Sequence, residues 1–178
     1  MIKISNQYFL ILCLAIISLS STANAQFLSL QLKIEPELST TVEQELSFGT
    51  LVSNSGEKNI NLGDLNTGIF VIRSYYTQNL FLSLTYPESL RHINPAINEE
   101  IPVSLSIAYN NSLNKSPRGA ILLPQNKGNV SVIDRLEISG VPKEIWSELY
   151  IYVFGTIDVG NIPTGEYAGE VTLYIEYD

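Results

Sequence analysis

The chain has 178 residues, 10 basic against 18 acidic, and a formal net charge of −8 at pH 7. That charge repels nucleic acid and anionic membrane surfaces, so neither is an expected partner. With Cys13 as the only cysteine, no intrachain disulfide or multi-thiolate metal site can form, and stability must come from an apolar core.

Residues 1–25 read as a secretory signal peptide. Lys3 supplies the positive start, Tyr8 to Leu19 the apolar run, and Ala23-Asn24-Ala25 the small-x-small cleavage pattern before Gln26. A membrane-spanning helix needs about 20 apolar residues. This run is shorter and ends in Ser20-Ser21-Thr22, so the mature chain is expected to carry no transmembrane anchor. A lipid-modified Cys13 is disfavoured because bulky Leu12 precedes it inside the apolar run. Residues 26–178 remain as one domain, since a chain of about 150 residues can bury roughly 68–70% of its unfolded surface.

Period-2 alternation dominates the mature sequence, the pattern of half-buried strands. Leu28, Leu30, Leu32 and Ile34 share one face of the first run. Leu46-Ser47-Phe48 predicts a second strand, with Gly49 marking a bulge or a close approach. A short strand is expected around Ile60 and Leu62, then a longer one from Ile69 to Tyr76. Leu80, Leu82, Leu84 and Tyr86 form the next, ended by Pro87. The segment Pro87 to Glu100, interrupted by Pro95, reads as a loop with a helical turn. Val103, Leu105, Ile107 and Tyr109 alternate again. Shorter strands are expected at Ala120–Leu123, Val130–Ile133 and Leu136–Ser139. Pro142 to Leu149 suggests one or two helical turns, with Trp146 covering one end. Glu148 to Ile157 and Tyr167 to Tyr177 complete an all-β, antiparallel β-sandwich.

No catalytic constellation emerges. His92 is the only histidine and no H-E-x-x-H spacing exists, so neither a His-based metal site nor a cofactor is expected. There is no G-x-S-x-G, P-loop or G-x-G-x-x-G. Glu99 and Glu100 are adjacent carboxylates, and neighbouring strand residues face opposite ways, wrong for a glycosidase pair. Asp64 and Asn66 could offer oxygens to calcium, but the spacing is that of a turn. Tyrosines are plentiful at Tyr75, Tyr76, Tyr150, Tyr152, Tyr167, Tyr174 and Tyr177. Exposed ones could stack on sugars, whereas Tyr150, Tyr152 and Phe154 alternate as a core face would. The protein is read as non-enzymatic.

The end of the chain is its most informative part. Gly165 stands fourteenth from the end and Tyr177 second, with Val171, Leu173, Ile175 and Tyr177 alternating on one face. This arrangement resembles the C-terminal motif of chaperone–usher pilins. The resemblance implies an incomplete immunoglobulin-like fold whose last strand pairs first with a periplasmic chaperone and later with a neighbour's N-terminal extension. Leu28, Leu30, Leu32 and Ile34 match such a donor extension. The mature chain also resembles the exported, pilin-like domain of unknown function 4402. The residues that carry this likeness are Leu46-Ser47-Phe48-Gly49-Thr50-Leu51, Gly155-Thr156-Ile157-Asp158-Val159-Gly160, Gly165-x-Tyr167-x-Gly169 and Tyr177. Many pilins carry cysteines that this mature chain lacks. The expectation is an exported structural or adhesive subunit in the periplasm, at the outer surface or outside the cell. Its partners would be copies of itself, other surface subunits or a chaperone. The alternative is a secreted or periplasmic glycan- or ligand-binding module.

Overall fold

In a computed structural model, residues 38–75, 79–112, 114–131 and 146–178 are described, all within the unit Glu35–Asp178. The strands are β1 (Ser39–Gln44), β2 (Gly56–Ile60), β3 (Gly68–Tyr75), β4 (Asn79–Thr85), β5 (Ser89–His92) and β6 (Glu100–Asn110). They continue with β7 (Ile121–Leu122), β8 (Lys127–Ser131), β9 (Trp146–Val159), β10 (Tyr167–Ala168) and β11 (Thr172–Tyr177). Every pairing among them is antiparallel, and no α-helix occurs among the described residues. The protein is therefore all-β.

The architecture is organised on β9, 14 residues rich in Ile, Val, Tyr and Phe. One of its edges pairs with β3 over Trp146–Val153 and then with β2 over Gly155–Val159. Its other edge pairs with β6. The larger sheet runs β1-β3-β9-β6-β5-β10, with β2 and β7 attached at its margins, and the second sheet runs β11-β4-β8. Both contribute to one core. Ile72, Leu105, Ile107, Leu149, Ile151 and Val153 from the larger sheet share it with Leu80, Leu82, Leu84 and Val130 from the smaller one. Each large aliphatic side chain buried this way stabilises the fold by roughly 1.5–3 kcal/mol.

The expected strands at Ile60, Ile69, Leu80, Val103, Ile121, Val130 and Glu148 find counterparts with shifted ends, and the one expected over Tyr167 to Tyr177 is split into β10 and β11. Three readings are corrected. Leu46-Ser47-Phe48 is not a strand, because the β1–β3 ladder closes at the pair Gln44 and Ile69, after a bulge. The Gln44 side-chain amide donates to the carbonyls of Leu65 (2.7 Å) and Thr67 (2.6 Å), holding the loop before β3 at the end of β1. Leu46 and Phe48 still pack against the core. Trp146 to Leu149 is strand rather than helix, because Ser147 and Leu149 lie opposite Ser74 and Ile72. Long-range pairing outweighs a weak local helical preference. Within Pro87–Glu100, Ser89–His92 pairs with β6 as a hairpin arm, and the turn beyond it is held by Ala96 N–H on Asn94 Oδ1 (3.1 Å).

The face of β9 is also reversed from expectation. Leu149, Ile151 and Val153 point into the core, while Tyr150, Tyr152 and Phe154 lie on the opposite face. Tyr152 is nevertheless only 1% exposed. Residues 114–117, beyond β6, are tied back to the protein at three points. Asn110 donates to the Ser116 carbonyl, Lys115 pairs with Glu43, and Pro117 lies against Gly63. Residues 1–25, read as a signal peptide, the first run with Leu28, Leu30, Leu32 and Ile34, Tyr76, and the strand expected at Leu136–Ser139 lie outside the described residues.

Candidate functional site

The C-terminal run leaves β9 at Val159 and crosses to the smaller sheet along the end of the larger one. Gly160 O accepts from Asn54 N–H (2.7 Å), and the Ser53 hydroxyl both donates to Ile162 O (2.8 Å) and accepts from Ile162 N–H (3.1 Å). These bonds tie the crossing segment to the turn before β2. Next, β10 pairs with β5, placing Tyr167 opposite His92. Their rings meet edge to face with centroids 5.0 Å apart, and the Tyr167 hydroxyl donates to Pro163 O (3.0 Å). His92 Nδ1 accepts from Asn94 N–H (2.9 Å), which turns its Nε2 toward Gly165.

Two glycines of the terminal motif thereby acquire a local cause. A Cβ on Gly165 would fall inside the contact radius of His92 Nε2, and one on Gly169 would lie 2.9 Å from a Leu90 methyl and 3.0 Å from Pro87. His92 is thus a half-buried residue at the end of β5, not a bystander in a loop. Sequence reading missed this seat, since nothing in the spacing of Pro87, Leu90 and His92 links them to positions 165–169. Gly165→Ala is expected to cost about 1–3 kcal/mol through forced repacking. His92→Ala made in the same chain should restore part of that loss in a urea-melt double-mutant cycle. Strictly additive effects would show that the two residues do not meet.

From Val171 onward the run enters the smaller sheet. Strand β11 pairs with β4 from Thr172 opposite Thr85 to Tyr177 opposite Leu80, and Asp178 N–H adds a bond to Asn79 O (3.0 Å). Val171, Leu173, Ile175 and Tyr177 turn one half-buried face to the core, while Thr172, Tyr174 and Glu176 are exposed. Of the residues expected to act in assembly, these four are brought together and Gly165 is set apart at the β5–β10 join.

The two long seams between the sheets differ. Near β6, Asn126 donates to Leu105 O (2.8 Å) and accepts from Ile107 N–H (3.0 Å), stitching the approach to β8 onto the larger sheet. Strand β11 is at the other margin of the smaller sheet, and among the described residues β4 is its one strand partner. At the corresponding margin of the larger sheet, Val42 lies opposite the core residue Phe70 yet is 59% exposed. Among the described residues, this side offers backbone donors and acceptors along Thr172–Glu176 of β11 beside a half-covered apolar face.

Charged and polar groups elsewhere serve the framework. Asp64 accepts from Asn61 N–H (2.7 Å), closing the turn that sequence reading had weighed for calcium. No group of three potential metal ligands occurs among the described residues. The Ser89 hydroxyl donates to Glu100 and holds that carboxyl below its ordinary range, helped by Arg91 at 2.9 Å. Burial, followed by its bond to Glu148 (2.9 Å) and that residue's charge, pushes the Tyr150 hydroxyl up to about 12 from 10.0. The folded state thus keeps a proton that the unfolded chain releases, so this contribution is present below pH 10 and is lost between about pH 10 and 12. Tyr150→Phe should flatten that part of the stability–pH curve, measured by urea melts at pH 9 to 12. No protein-family model and no curated protein matches the chain.

Proposed function

We propose that the protein is an exported structural or adhesive cell-surface subunit, pilin-like, with an immunoglobulin-like sandwich extended by β-strand exchange. The observation that supports this reading is the contrast between the two seams. Asn126 stitches one, while the other presents β11 with its inner face half covered and Val42 exposed beside the core. A strand laid along β11 would gain main-chain hydrogen bonds and place alternate apolar side chains over Leu173 and Ile175. Leu28, Leu30, Leu32 and Ile34 have the alternation that such a strand requires. The resemblance of the terminal motif to chaperone–usher pilins and to domain of unknown function 4402 points the same way. The partners are then copies of this chain, other surface subunits and a periplasmic chaperone.

The test is an SDS gel of the protein sheared from its native host, unheated beside boiled. A ladder that collapses to one mature-sized band on boiling is the expected result, and Leu32→Asp should abolish the ladder without blocking export. One monomer band in both lanes would overturn strand exchange.

A further inference from the structure

The outward face of the smaller sheet carries Tyr174, the one aromatic among the exposed large hydrophobic residues described. Strand register builds it from three chains side by side: Tyr174 lies opposite Ser83, which lies opposite Lys127, and in the next row Glu176, Phe81 and Asn129 align. Tyr174 is 61% exposed and Phe81 is partly buried. They occupy diagonal positions on neighbouring strands, about 7–8 Å apart in such a ladder, so both side chains stand on one face. Around them are the hydroxyls of Ser83 and exposed Thr172, the amide of exposed Asn129 beside Phe81, and one charge of each sign on Lys127 and Glu176. Asn129 donates its amide N–H to Asp178 (2.8 Å), which orients its carbonyl oxygen as the group left to accept.

The chemistry of this face selects its occupant. Backbone groups of β4 are consumed by pairing on both sides, so recognition must use side chains. Two rings among hydroxyls are too little apolar surface for a stable protein interface, whose core is depleted of such polar groups. An anionic polymer meets Lys127 as the one basic side chain on these three strands, in a chain of net charge −8. A sugar ring matches what is present: an apolar C–H face to lie on an aromatic ring, and an edge of hydroxyls to exchange hydrogen bonds with amides and hydroxyls. We infer that this face binds a neutral polysaccharide, with Tyr174 and Phe81 as the stacking platform and Ser83, Thr172, Lys127 and Asn129 as the flanking polar contacts. The site is independent of strand exchange, because it uses the outward side chains of β11 and leaves its edge free.

The full mature chain is tested by native affinity electrophoresis in gels containing xylan, galactomannan, a β-1,3-glucan or polygalacturonate. At least one neutral polymer should retard it, and polygalacturonate should not. Tyr174→Ala should weaken the retardation tenfold or more, and Tyr174→Phe should retain most of it by keeping the ring. An unchanged urea midpoint in both variants shows that the exposed position does not affect folding. No retardation by any neutral polymer, retardation indifferent to Tyr174→Ala, or equal binding of polygalacturonate would each overturn the site. The SDS ladder should be unaffected by Tyr174→Ala, so failure here is separable from failure of assembly.

Discussion

Gly155→Ala is expected to cost about 4 kcal/mol or more, enough to leave a marginal domain largely unfolded. Gly155 lies where β9 is flanked by Leu105 of β6 on one side and Ile60 of β2 on the other. A Cβ there would overlap the Ser104 carbonyl oxygen and sit 2.9 Å from Leu105 Cα. Both obstacles are backbone, so no rotamer change relieves them. Strand β6 cannot retreat without breaking its eight-residue register with β9, the pairing that joins the two halves of the larger sheet. The measurement is the midpoint of urea unfolding followed by tyrosine and tryptophan fluorescence. A loss under 1 kcal/mol would mean that the strands are not in such close approach.

Leu82→Ala should be the next most damaging change, at about 3–5 kcal/mol. Leu82 is fully buried in β4, the central strand of the smaller sheet, between Ile175 of β11 and Gly128 of β8. Strands on both sides hold β4 in place and the larger sheet covers it, so the cavity has little means of collapse. The urea midpoint should fall while the slope stays constant, which assigns the loss to the native core rather than to the unfolded ensemble. Tyr174→Ala, two residues along β11's outward face from Thr172, should change the unfolding free energy by under about 0.5 kcal/mol. Equal effects of the two substitutions would contradict the inward and outward assignments of the sheet.

Those assignments were legible where alternation was strict. Leu80, Leu82 and Leu84 face the core as their spacing demands, and so do Leu173 and Ile175. Period 2 failed where both faces of a strand are covered. In β9 the residues from Leu149 to Phe154 are all apolar or aromatic, so spacing cannot say which set points inward. The answer came from packing against the smaller sheet: Leu149, Ile151 and Val153 join its core, while Tyr152 is buried on the other face. Strand β5 was read as loop for a related reason: four residues next to a proline show too little pattern, and pairing with Ile101 and Glu100 creates the strand.

The amino-acid sequence by itself determined that the fold is all-β and that the run from Val171 to Tyr177 has one apolar face. Both follow from side-chain period, a property of the chain alone. Only the tertiary structure decided which strands are neighbours, that β11 lies away from the stitched seam, and that Gly165 meets His92. Each of these depends on contacts between residues tens of positions apart, whose closure is set by competing pairings and by shared packing. Residue spacing along the chain carries no information about that competition.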